Sequence, residues 1–272
     1  RLGPLVSRYR SQMDLAAQLC LGLIVRRNFS PLFFSEFNSN VFVPPSTGAI
    51  GYSLVGPLIL SFVQWLAECA IADGVQQLFF LSREGQFLKM VYDQWVAQDG
   101  VDGPPSRYLV LSRRVMTVAM ISSMDDIYFI AKNRNYYSNR VDSFLKERYG
   151  VEFTDEEWSE LHKSVGWQKD KLVEVREGEI NHLVLLLKEI KERIFLQAAA
   201  ERPGLSTYLE QMGVAGDEKS AVVDVGYSGT IQDCLNRIIE CPVHGYYLAT
   251  NKFSETVSSQ HGVKVQGCFA HY

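Results

Sequence analysis

The sequence predicts an α/β protein with a mostly parallel sheet, helices on both faces and a helical insertion, and three observations carry that expectation. Short apolar runs at 77–82 (QLFFLS), 107–112 (RYLVLS) and 220–225 (SAVVDV) have the length and composition of central strands. A helix-periodic stretch separates the first two, the strand-helix-strand order that parallel pairing needs. The chain has 272 residues, 47% of them hydrophobic, and a net charge of −4. That composition can bury a core, so disordered and fibrous classes are excluded, and the length suits one large domain or two small ones.

The first element is an amphipathic helix over residues 7–27, with Leu15, Leu19 and Leu23 on one stripe, Arg8 and Arg10 before it and Arg26 and Arg27 after it. Residues 1–49 are read as this helix plus a connector to an upstream domain. Arg1 is not a natural start, so more chain is expected before it. No charge occurs from Phe37 to Ala67. Pro57 is a good first helical residue, and from it to Ala72 is roughly 24 Å of helix against a hydrocarbon core of about 30 Å. The spacing therefore predicts a buried helix and no transmembrane span.

The catalytic domain is read as residues 50–272. After the first strand, Phe87, Leu88, Val91 and Trp95 give a helix over 85–97, and the turn cluster 99–106 leads to the second strand. Residues 124–213 are expected to form the insertion, with helices at 124–132, 141–149 and 154–165, the last opened by Thr154 and Glu157 as a capping box. A long helix over 177–202 is expected to end at Pro203-Gly204. The third strand is followed by a turn at 226–230, a helix over 230–240, a strand at 244–250 and a fifth at 263–269.

Several function classes drop out. With 27 Lys+Arg against 31 Asp+Glu and a pI near 5.8, no nucleic-acid partner is expected. Cysteines at 20, 69, 234, 241 and 268 are odd in number and lack CxxC spacing, which argues against a zinc cage or a disulfide framework and for a reducing, cytoplasmic location. The five histidines lack ligand spacing. Cys234, and the tyrosine pairs at 136–137 and 246–247, are expected to pack.

What remains is a set of three loops at strand ends. In an open parallel sheet the carboxyl ends of the strands form the ligand crevice, so these loops are expected on one edge. In the third, Gly226 and Gly229 permit close backbone approach, Ser228 or Gly229 can cap a helix whose free N–H groups attract an anion, and Thr230 adds a hydroxyl. Tyr227 lies between them, and Asp224 at the strand end suits a divalent cation or ribose hydroxyls. In the first loop, Ser82 leads to Arg83, a phosphate fork, Glu84, a candidate base, and Gly85, which opens a helix. The second loop supplies Ser112, Arg113 and Arg114.

The segment AVVDVGYSGTIQDCLN is similar to the phosphoribosyltransferase signature, in which an acid-tipped strand leads into a loop that binds ribose 5-phosphate. LFFLSREGQFLKMVYD is similar to the pyrophosphate-binding strand, loop and helix of those enzymes. The chain departs from the pattern in having Asp224 alone where two acids are usual, and in a shorter loop. A fuller resemblance covers roughly residues 50–250, through IGYSLVGPLILSFVQWL, FFLSREGQFLKMVYD, RYLVLSRRVMT, ERPGLSTYLEQMG, AVVDVGYSGTIQDCLN and HGYYLAT. These resemble the domain that follows a haloacid-dehalogenase-type phosphatase in bacterial polysaccharide ribofuranosyltransferases.

That resemblance implies a glycan phosphoribosyltransferase. Its donor would be 5-phosphoribosyl diphosphate and its acceptor a glycan or lipid-linked glycan, with a phosphatase, fused or separate, acting afterwards. It implies that Gly226, Ser228, Gly229 and Thr230 cradle the 5-phosphate, that Arg83, Arg113 and Arg114 neutralise the diphosphate, and that Asp224 holds ribose hydroxyls or Mg²⁺. Glu84 or Asp224 would take the acceptor proton, and the location would be cytoplasmic, at the inner face of the membrane. Two other classes stay open: a haloacid-dehalogenase-like phosphohydrolase, whose second acid would have to stand at Gly226, and a non-catalytic scaffold of polysaccharide assembly.

Overall fold

Seven strands form among the described residues. β1 (Gln77–Leu81) and β2 (Ser106–Leu109) come first; β3 (Asn139–Arg140) and β4 (Leu172–Val173) make a short antiparallel ribbon; β5 (Ser220–Asp224), β6 (His244–Thr250) and β7 (Val265–His271) follow. β1, β2, β5, β6 and β7 join into one all-parallel sheet in the order β2-β1-β5-β6-β7. The computed structural model describes residues 47–132, 139–175, 178–214, 216, 218–239 and 241–271, with Leu19 and Leu23 alone upstream. The helix expected over 7–27 and the Tyr136-Tyr137 pair lie otherwise outside the described residues.

Helices cover both sheet faces, as the apolar strands require. Side chains alternate across a strand, so Phe79 and Leu81 of β1 and Val222 of β5 face one way. There they meet α3 (Arg113–Met120), the second half of a long α8 (Lys191–Met212) and α9 (Thr230–Ile238). Leu78 and Phe80, with Ala221, Val223 and Tyr246, face the other way onto α1 (Gly56–Ala72) and α2 (Gly85–Asp99). A third cluster is built by α4 (Met124–Lys132), α5 (Val141–Tyr149), α6 (Asp155–Val165), α7 (Val184–Glu189) and the first half of α8, around Phe144, Leu145, Leu187 and Ile194. The last helix, α10 (Lys252–His261), lies between β6 and β7 in the chain.

Several element boundaries differ from those the sequence predicts. The second strand stops at Leu109 because Val110 N–H turns to the Tyr208 hydroxyl and Ser112 caps an unforeseen helix, α3. The helix expected over 177–202 breaks at Ile190, and α8 continues through Pro203 to Gly213, which caps it at φ 76°. Pro203 removes one backbone bond, but Leu205 and Leu209 beyond it are buried against the sheet and Arg202 binds the Ala119 and Ile121 carbonyls, so packing overrides the break signal. α10 is a further helix with no counterpart in the expectation, and the fifth strand sits at 265–271.

The apolar helix is also longer than Pro57 implies. A helical turn at Thr47–Ile50 and a π-helical segment at Gly51–Val55 run into α1, with Gly56 N–H bonding back to Gly51 O. Pro57 needs no N–H partner, so it sits in this continuation without breaking it. The run Gly51–Ala72 has 22 residues and a mean hydropathy of 1.7, long and apolar enough to cross a membrane by length and composition. One face of α1 is buried by Phe62, Val63, Leu66, Ala67 and Ala70; the segment before it is mostly exposed.

Candidate functional site

The strand order reverses between β1 and β5: from β1 the chain moves outward to β2, then returns to the other side for β5, β6 and β7. In a doubly wound sheet the connections after such neighbouring strands diverge to opposite faces and leave a crevice at their carboxyl ends. The loops after β2, β1 and β5 stand side by side on that edge, and each runs into a helix N-terminus, α3, α2 and α9 respectively. The expectation that three loops share one edge follows from this order. Three helix starts then add their free N–H groups and partial positive charges to one rim.

Ser82 fastens two of the loops together. Its hydroxyl donates to Leu111 O at 2.5 Å and accepts from Leu111 N–H at 3.0 Å, so it bridges the first and second loops rather than facing outward. Gly85 is buried, and a Cβ there would stand 2.9 Å from the Phe80 carbonyl carbon, too close for any other residue without a backbone shift. Between them Arg83 and Glu84 are exposed. Ser112 caps α3, its hydroxyl accepting from Val115 N–H at 3.2 Å. Arg113 is exposed, and its charge acts on Asp224. Arg114 is held elsewhere: its Nη2 lies 2.6 Å from Glu201 Oε1 of α8 and packs beside Gly150. The three arginines therefore divide, with Arg83 and Arg113 at the edge and Arg114 tying α3 to the insertion.

The loop after β5 is shaped by its glycines. Gly226 has φ +132°, and a Cβ there would fall 2.3 Å from Ala249 O. Gly229, at φ +69°, is the N-cap of α9 and leaves the helix without a side-chain cap. Tyr227 is 58% exposed at the tip. The Ser82–Arg83 and Gly226–Tyr227 peptide bonds are both cis. Thr230 begins α9 and is half-buried.

Asn251 organises this loop and escapes sequence reading. Its N–H donates to Tyr227 O at 3.1 Å, its Nδ2 donates to Ser228 Oγ at 2.9 Å, and its Oδ1 accepts from Phe253 N–H at 3.1 Å to cap α10. An Asn before a helix is a readable signal, but the helix itself was not expected. Arg148 of α5 is the second residue missed. It donates to Ile130 O at 2.7 Å, and burial together with the nearby Arg113 charge lowers its pKa.

Asp224 is the most perturbed carboxyl at this edge. Burial lifts it from an ordinary 3.8 to about 6; Glu84 adds to the rise, while Val225 N–H, 2.7 Å from Oδ1, and Arg113 oppose it. The structure thus brings Glu84 from the first loop into the electrostatic field of Asp224, although 140 positions separate them in the sequence. No group of three or more His, Cys, Asp or Glu that could hold a metal occurs among the described residues. A pair of carboxylates still suits Mg²⁺, which is commonly held by one or two carboxylates plus substrate phosphates.

The described cavities, about 280 and 350 Å³, lie in the insertion around Trp158 and Phe153 and not at the strand edge. Cys234, Tyr246 and Tyr247 are buried, as packing residues should be. No family model matches the chain, and no curated protein matches it.

Proposed function

We propose that the protein is a phosphoribosyltransferase-type glycosyltransferase that moves a 5-phosphoribosyl unit from 5-phosphoribosyl diphosphate to a glycan in bacterial surface-polysaccharide synthesis. The observation that carries this reading is the meeting, on one sheet edge, of two exposed arginines, a glycine loop opening an uncapped helix and a buried carboxyl at the strand end. A donor with phosphate at one end and diphosphate at the other matches two separated anion sites flanking an acid. The resemblance of the motifs to the ribofuranosyltransferase domain supports the same assignment.

The Gly226–Thr230 loop would bind the 5-phosphate through backbone N–H groups at the start of α9. Arg83 and Arg113 would bind the diphosphate, and their largest contribution is to the charge that grows on it as the anomeric carbon–oxygen bond breaks. The acceptor hydroxyl oxygen then bonds to the anomeric carbon from the opposite side, inverting it, and its proton passes to Asp224 or Glu84. A carboxyl held near 6 is ionised at neutral pH and remains a competent proton acceptor. Asp224 and Glu84 would hold Mg²⁺ when it is present, which supplies further positive charge to the diphosphate oxygens. Removal of the remaining phosphate belongs to a phosphatase, fused or separate, and the reaction is placed in the cytoplasm.

The phosphohydrolase reading needs a second acid at position 226, where Ala249 O leaves no room for any side chain. Calorimetry tests the proposal. 5-Phosphoribosyl diphosphate should bind more tightly than ribose 5-phosphate, more so with Mg²⁺, and R83A or R113A should weaken it by about 10–100-fold, since charge-assisted hydrogen bonds contribute roughly 1.5–3 kcal/mol. Binding of a nucleotide sugar in its place would refute the reading. Unchanged glycan synthesis by R83A would favour a scaffold.

A further inference from the structure

The apolar helix and the candidate site share one end of the molecule. Asp73, which closes α1, is fixed at the opposite edge, where the strands begin: Tyr246 Oη donates to it at 2.7 Å, Lys264 Nζ is paired with it, and Lys219 Nζ donates to its carbonyl at 2.6 Å. A tight turn then leads to the first residue of β1, so α1 runs antiparallel to the strands and its N-terminus points to the carboxyl-end rim. α1 has 17 residues and β1 has 5, about 25 Å of helix against about 17 Å of strand. The π-helical segment before α1 adds further length, so the helix overhangs the sheet on the side of the three loops.

The overhang is apolar and largely exposed, with Ser53 and Ile59 its buried residues. Ile50, Leu54, Val55, Leu58 and Leu60 are all between 39% and 55% exposed. The run from Phe37 to Ala67 has no charge to oppose insertion into an apolar phase. The charge of the chain is divided to match. Residues 1–46 hold five arginines against Asp14 and Glu36, a net +3, so the remainder of a chain with total −4 carries −7. Leu19 and Leu23, the described residues of that basic segment, are helical and exposed as well.

We propose that the Ile50–Leu60 end of this helix seats in an anionic phospholipid surface, with the basic segment before it drawn to the headgroups and the strand-end rim turned toward the bilayer. A span is disfavoured because Phe62, Val63, Leu66, Ala67 and Ala70 are packed on the sheet, which would have to enter the hydrocarbon with its loops and strand edges. An apolar helix face with a flanking basic stretch is the combination that binds in the interface, to a depth of about 5–10 Å. This placement would present the site to a lipid-linked acceptor, but it rests on the helix and the charge division, not on the donor assignment.

Vesicle flotation of the 272-residue chain tests it. The protein should float with phosphatidylglycerol-containing vesicles, less with phosphatidylcholine alone, and progressively less as salt is added. Leu54→Glu combined with Leu58→Glu should weaken binding by at least about tenfold, because two leucines lose their apolar contact, while the thermal midpoint stays unchanged because both positions are exposed. R83A should float normally, so loss of donor binding and loss of membrane binding are separate results. Absence of flotation, flotation indifferent to the glutamates, resistance to carbonate extraction, or a lipid-free dimer abolished by the same substitutions would each overturn the proposal.

Discussion

At the end of β5, Asp224 gives up solvent for a place between Val225 N–H, Glu84 and Arg113, and its raised pKa has a definite effect on stability. The folded carboxyl holds a proton up to about pH 6, whereas the unfolded one releases it near 3.8. The folded state therefore binds more protons in that interval. The stability this contributes is fully present below the unfolded value, is lost as pH rises through about 6, and stays lost above it. D224N should accordingly be more stable than the parent above pH 6, by up to about 3 kcal/mol, and match it near pH 3. Thermal unfolding across pH 3–8 measures this, and an identical pH profile for the two proteins would rule it out. Stability gained by removing an ionised group at a site is a mark of function kept at a stability cost.

Asp224, Gly226 and Gly229 were legible because an acid closing an apolar strand and two glycines before a helix have few other uses. Arg114 was not, since its pairing with Glu201 links positions 87 residues apart. Ser82 reads as a substrate hydroxyl in the sequence and is a loop fastener in the fold, and Asn251 reads at most as a helix cap until its bonds to Tyr227 and Ser228 are seen.

Elements respond to packing more than to local signals. Thr154 and Glu157 form the expected capping box because both partners lie three residues apart. Pro203 fails as a terminator because its neighbours Leu205 and Leu209 fill the sheet core. α9, which carries the glycine loop, is anchored by a buried cluster no sequence pattern announces. Asp233, 1% exposed, is 2.7 Å from His261 Nε2 of α10 and 3.1 Å from Arg237, whose guanidinium also lies 3.7 Å from Asp126 of α4 and over the Phe129 ring. Removing the carboxylate leaves the His261 ring nitrogen without this partner and Arg237 with only the longer contact to Asp126. D233A should cost about 3 kcal/mol in chemical denaturation. A loss below 1 kcal/mol would mean that α9 is held by its apolar face alone.

For the whole molecule, the unbroken apolar runs of β1 and β5, buried along their length, made the layered architecture readable, and the parallel order followed from the intervening helices. The strand order itself was not readable, because nothing in a single chain states that β5 returns beside β1. Yet that adjacency gives the site its form, setting the Arg83 loop against the Asp224 loop. The proposed chemistry depends on three strand-end loops holding the two ends of one donor. Backbone amide resonances of the 272-residue protein, titrated with 5-phosphoribosyl diphosphate, report on all three loops at once. The account predicts that residues 83–86, 112–115 and 226–232 shift together along a single binding curve. Shifts confined to one loop, or separate curves for the three, would contradict it.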